Sequence, residues 1–212
     1  MYIDPTTPQS IVYTYDYGSG VLLAGNGWIL TAQHLLGGDR GIDLAEPRIT
    51  ILTAFSSGYV PVDLLATDES ADLALLQANP RALPSQTGLQ LRTEPPLREG
   101  EVLYSLGIRA AAAPLDFEVG LIRGRSVVAD PALTRLARSA QWSKNSITIS
   151  QQIFPGYSGG PILDSEGSLV GVILGAPITN GQWGGYSYGV AATAIAEFLD
   201  SVAARSTGLN EG

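Results

Sequence analysis

Short apolar runs separated by turn residues recur along most of this chain. Nearly all of these runs are shorter than an ordinary helix, so the pattern reads as a succession of β-strands. The first group comprises Ile11–Tyr15, Val21–Leu23, Trp28–Thr31, Ile49–Phe55, Val60–Ala66 and Leu73–Ala78. A stretch rich in proline and polar residues, Asn79–Gly100, interrupts the series. The strand pattern resumes with Val102–Leu106, Phe117–Val128, Ser146–Gln152, Pro161–Leu163, Leu169–Leu174 and Tyr186–Ala191. Two groups of six segments predict two antiparallel β-barrels. Beyond them the period changes: in Thr193–Arg205 the residues Ile195, Phe198, Leu199 and Val202 share one helical face, which predicts a C-terminal helix packed on the strands. Asp130–Arg138, inside Ala129–Trp142, carries a shorter helix signal and reads as a surface insertion.

Composition agrees with this architecture. The chain has 212 residues, long enough for a sizeable core, with 25 glycines and 13 prolines for tight turns. No cysteine is present, so stability must come from packing rather than disulfides, and neither a thiol nucleophile nor a cysteine metal site is possible. A net charge of -8 with 12 lysines and arginines argues against a nucleic-acid partner, because phosphate binding is driven by those cations. No apolar stretch is long enough to predict a transmembrane helix, so membrane insertion is not expected. The amino end lacks the basic start and apolar run of a signal peptide. That fits a cytoplasmic chain, or a periplasmic or secreted one from which a leader was removed. Oligomeric state is not legible.

Candidate chemistry centres on His34, the single histidine, which ends the apolar segment Trp28–Ala32. Imidazole is the side chain suited to shuttling protons near neutral pH. Asp72 leads the apolar run Leu73–Leu76 and is preferred over Asp63 and over Asp68, which belongs to a turn-like Asp68-Glu69-Ser70. Ser158 lies in the glycine-rich Phe154-Pro155-Gly156-Tyr157-Ser158-Gly159-Gly160-Pro161. A hydroxyl to attack a carbonyl, an imidazole to take and return its proton, and a carboxylate to hold the imidazole make a nucleophilic set that needs no metal or cofactor. The turn also satisfies the Gly-x-Ser-x-Gly elbow of α/β-hydrolases. That fold places its histidine after the serine, whereas this chain has none there, and Pro161 opens a strand rather than a helix.

With the order His, Asp, Ser in place, the chain resembles the chymotrypsin-like (trypsin-type) serine peptidases, and among them the disulfide-free bacterial branch of high-temperature-requirement proteases. Gly18–His34 resembles that branch's first hairpin running into its histidine, Ala71–Leu76 its aspartate strand, and Gly156–Leu163 its nucleophile turn. The resemblance implies an all-β double barrel with a C-terminal helix, the first barrel in residues 9–92 and the second in 93–207, and a cleft between them. It implies a serine endopeptidase acting on polypeptide through His34, Asp72 and Ser158, with the amides of Gly156 and Ser158 as oxyanion donors. The substrate side chain would enter a pocket with Gln152 near its base, Ile173, Leu174 and Gly175 at its rim and Tyr188–Val190 opposite. With no carboxylate at Gln152, a small or medium apolar residue is expected there, and Gly175 would offer an edge for the substrate backbone. Tyr157 departs from the family, where Asp or Asn commonly precedes the nucleophile. Tyrosine cannot pair with a newly cut amino terminus, so activation by N-terminal cleavage is not expected. The alternative is a latent or inactive trypsin-fold protein that binds peptides or regulates.

Overall fold

In the computed structural model the described residues are 2–3, 11–12, 17–23, 27–37, 49–51, 58–83, 88–110, 117–127 and 146–208. The helix signal in Ala129–Trp142 lies outside them. Strands β1 (Tyr2–Ile3) and β2 (Ile11–Val12) pair with each other. Next come β3 (Val21–Leu22), β4 (Trp28–Ala32), β5 (Thr50–Ile51), β6 (Val60–Asp68) and β7 (Leu73–Ala78), which form a five-stranded sheet in the order β3-β4-β7-β6-β5. Strand β7 is apolar except for Gln77 because both of its faces are covered. Leu73 and Leu75 join the core shared with the second half of the chain, whereas Leu76 and Ala78 join Ile29, Val60 and Val62 in a separate core.

The second half is a closed antiparallel barrel. Its strands are β8 (Val102–Ala110), β9 (Phe117–Val127), β10 (Ser146–Ile149), β11 (Pro161–Leu163), β12 (Leu169–Gly175) and β15 (Ser187–Ala191), in the order β10-β15-β12-β11-β8-β9. Between β12 and β15 stands a small hairpin, β13 (Ile178–Thr179) with β14 (Gln182–Trp183), absent from the sequence reading. Its signal was available: Asn180-Gly181 is the dipeptide that two-residue hairpin turns with positive φ at both positions require, and φ is 52° and 76° here. Helix α1 (Ala192–Gly208) lays Ile195, Phe198 and Val202 into the shared core with Leu199 partly buried, the face its period predicts. Among the described residues no helix is long and apolar enough to cross a membrane.

The connecting stretch is pinned to both sheets. Leu89 bridges Leu23, Leu91 bridges Leu169, and the Leu169 N–H donates to Gln90 O at 2.8 Å. Beside it, Arg92 donates to Glu101 at 3.0 Å and to Asp164 at 3.1 Å. Hydrogen bonding to Arg92 holds the Glu101 carboxyl below its usual 4.5. Burial opposes ionisation of Asp164, but the Ser168 N–H, Arg92 and the Glu166 N–H together hold it below its usual 3.8. A carboxylate whose folded pKa is depressed stabilises the fold above its unfolded pKa, and that contribution is lost as pH falls through the folded value. The thermal midpoint is therefore expected to drop as pH is lowered from about 4.5. Arg92→Ala should cost ~2 kcal/mol at neutral pH and flatten this acid dependence, which melting curves across a pH series would check.

Candidate active site

His34 leaves β4 in a single 3₁₀ turn, Gln33–Leu36, which Gly37 ends with φ 90°. Antiparallel pairing of Ala32 with Leu73 brings the residue before β7 alongside this turn. That residue is Asp72, and it has φ 54°, a left-handed backbone rare outside glycine and tolerated best by Asp and Asn. Asp68 prepares the geometry: its Oδ1 accepts from Ser70 N at 2.9 Å, Ser70 Oγ at 2.6 Å and Ala71 N at 3.1 Å, tightening the turn that delivers Asp72. Asp72 lies immediately before β7, closing the turn that leads into it. From there its Oδ1 accepts from His34 N at 2.8 Å and its Oδ2 meets His34 Nδ1 at 2.7 Å. Its carbonyl also accepts from Gln33 N at 3.0 Å. One acidic residue thus grips both the main chain and the ring of the histidine turn, with both side chains about three-quarters buried. Asp63 is exposed and Asp68 is engaged in its own turn, so neither competes.

The turn bearing Ser158 is held from the first sheet by Ser19, which the sequence reading passed over. Ser19 N donates to Ser158 O at 2.8 Å, and Ser19 Oγ donates to Gly156 O at 2.7 Å while accepting from Ile108 N at 2.8 Å. Its carbonyl accepts from Thr31 Oγ1 at 2.7 Å. A small polar residue between Gly18 and Gly20 was the signal. Ser19→Ala strips the bond to Gly156 and orphans a backbone N–H, so a loss of about 1–3 kcal/mol in denaturant titration is expected. Gly159, with φ 83°, has no room for a Cβ, which would strike the Ser19 carbonyl and Thr31 hydroxyl. Among the described residues the N–H groups of Gly156 and Ser158 donate to no protein group. Ser158 Oγ donates to Leu174 O at 3.1 Å.

The residues expected to shape a pocket are distributed differently. Ile173 and Leu174 bury their side chains in the barrel core and the shared core respectively, so they are not an apolar rim. They reach the turn bearing Ser158 through main chain instead: Ile173 pairs with Gly159 and Gly160, and Leu174 O meets Ser158. The reason is strand alternation across β12, whose two faces are both covered. Gln152 is exposed, while Gln151 points into the barrel at 3% exposure with its side-chain amide unpartnered among the described residues. Tyr188 lies across Gly175, where a Cβ would come 2.9 Å from its hydroxyl. Burial, followed by the charge of Asp72, pushes its phenol above the usual 10.0. The described residues include no cluster of acidic and histidine side chains able to hold a metal ion.

The sequence profile of the trypsin-like peptidase domain matches residues 18–172, a span that contains His34, Asp72 and Ser158. A probable periplasmic serine endoprotease, DegP-like, of Hahella chejuensis is 28% identical over 176 residues, covering 82% of this chain and 32% of that protein. The serine protease Do-like HtrA of Bacillus subtilis is 26% identical over 160 residues, covering 73% of this chain and 32% of that protein. The chain thus spans about a third of the length of these curated relatives. Among solved structures, the HtrA-type protease AlgW with a decapeptide superposes with a TM-score of 0.66 at 21% identity, covering 87% of this chain and 51% of that one. This likeness shows the shared fold. By the profile match, which exceeds half its length, and by these relatives, the chain belongs to the trypsin-like peptidase domain family, in the high-temperature-requirement branch of trypsin-type serine peptidases.

Proposed function

We propose that the chain is a serine endopeptidase working through His34, Asp72 and Ser158. The observation that carries this reading is the grip of Asp72 on His34, at 2.8 Å to its main chain and 2.7 Å to its ring. With Nδ1–H committed to Oδ2, the imidazole presents the lone pair of Nε2 outward as general base. Ser158 Oγ attacks the scissile carbonyl as His34 takes its proton. The N–H groups of Gly156 and Ser158, which have no other partner among the described residues, meet the oxyanion. His34 then returns the proton to the leaving amine, and water hydrolyses the acyl-enzyme by the same steps. Substrate is an extended polypeptide adding along the Gly175 end of β12, beyond Val172, the last residue there paired with β11. The likeness to AlgW, solved with a decapeptide, agrees with a polypeptide ligand.

Fluorophosphonate labelling together with casein digestion tests the proposal. Stoichiometric labelling at Ser158, with cleavage, is expected; a folded chain that neither labels nor cleaves overturns it. One observation favours a second reading, a latent trypsin-fold protein that binds peptides: the Ser158 hydroxyl is directed to Leu174 O at 3.1 Å. Peptide binding without labelling would select that reading.

A further inference from the structure

We infer that Tyr157 is a positioning residue for the nucleophile, its ring keyed into a notch that β8 leaves open at Gly107. The inference rests on the peptidase reading of Ser158. Along β8 the buried positions alternate as Leu103, Ser105 and Gly107, so the inward side chains shrink from isobutyl to hydroxymethyl to none. Tyr157, only 2% exposed, takes the space this taper leaves. A Cβ at Gly107 would stand 2.8 Å from Tyr157 Cα and closer still to its ring. Phe154 tilts against that ring at 6.2 Å between centroids, and Leu103, Ile147, Ile149, Ile162, Val170 and Ile173 complete the cluster.

The main chain on either side of the ring belongs to the nucleophile turn. Tyr157 N donates to Phe154 O at 3.1 Å, and Tyr157 O accepts from Gly160 N at 2.9 Å. The peptide group between Tyr157 and Ser158 carries one of the proposed oxyanion donors. Its carbonyl end is held by the Gly160 N–H, and the buried ring fixes the Tyr157 Cα from which it extends. Tyr157 therefore secures by apolar burial what a polar residue at this place would have to secure with an ion pair or hydrogen bonds.

The test compares wild type, Gly107→Ala, Tyr157→Asn and the double variant by fluorophosphonate labelling rate, kcat, KM and thermal melting. Gly107→Ala displaces the ring and is expected to slow labelling and kcat about 100-fold with KM little changed. The added methyl would also stand 2.8 Å from Tyr157 Cα and so press on main chain as well as ring. Because both changes disturb the same seat, their losses in the double variant should be clearly less than multiplicative. Wild-type labelling by Gly107→Ala, or a fully multiplicative loss in the double variant, overturns the inference. Should Gly107→Ala fail to melt cooperatively, Tyr157→Phe and Tyr157→Ala decide the matter. Wild-type labelling by the phenylalanine variant with about 100-fold slower labelling by the alanine variant supports positioning, and equal rates overturn it. A wild type that never labels overturns the peptidase reading and this inference with it, whereas a labelling wild type with indifferent variants removes the inference alone.

Discussion

Ser158→Ala is expected to abolish fluorophosphonate labelling and to lower peptide turnover by ~10⁶, the usual consequence of deleting the nucleophile from such a set. The structure separates this loss from unfolding. Ser158 is tied into the molecule chiefly by main chain, its carbonyl accepting from Ser19 N at 2.8 Å, and alanine keeps that bond. What alanine loses is one part-buried hydroxyl bond to Leu174 O, so stability should change by about 1 kcal/mol or less. The decisive measurement pairs turnover with a denaturant midpoint. An alanine variant that still turns over peptide at more than a trace, with its fold intact, would remove Ser158 from the mechanism.

Asp72→Asn should be nearly as damaging, lowering turnover at neutral pH by about 10⁴. Asparagine tolerates the φ of 54° as well as aspartate does, so the turn should survive. Its Oδ1 would still receive the His34 N–H. The amide nitrogen would replace the oxygen that now stands 2.7 Å from Nδ1, and a donor there favours the tautomer with its proton on Nε2, which removes the lone pair the proposed general base needs. Asp72→Ala is expected to lose the grip and the left-handed turn together, and so to lower the melting temperature as well. Asp63→Asn and Asp68→Asn should keep the His34–Asp72 contact, since neither carboxylate touches it. If Asp68→Asn were the variant that lost turnover, with Asp72→Asn active, the assignment of the carboxylate would be wrong.

The parts of the site that could be read from the chain are those carried by local pattern. His34 terminates an apolar strand and Ser158 sits in a run of glycines, and each is recognisable without knowledge of its neighbours. Asp72 was distinguished from Asp63 and Asp68 by its place before an apolar run, and pairing of Ala32 with Leu73 turns that place into contact with His34. Ser19 was legible only as a small polar residue between Gly18 and Gly20, because its role depends on four bonds, to residues as far along the chain as Gly156 and Ser158. The pocket residues were harder still. Whether Gln151 or Gln152 enters the barrel depends on strand phase at the end of β10, and a shift of one residue exchanges the two faces.

The sequence alone determined a β-rich chain with a terminal helix, its apolar face and the order of three chemically matched residues, because strand length, helical period and residue type are local properties. Only the tertiary structure decided how Asp72 grips both the main chain and the ring of His34, that Ser19 binds the turn bearing Ser158, and that Ile173 and Leu174 meet that turn through main chain. Those outcomes follow from register and barrel closure, which bring together groups more than a hundred residues apart and leave each side chain only the space its neighbours do not fill.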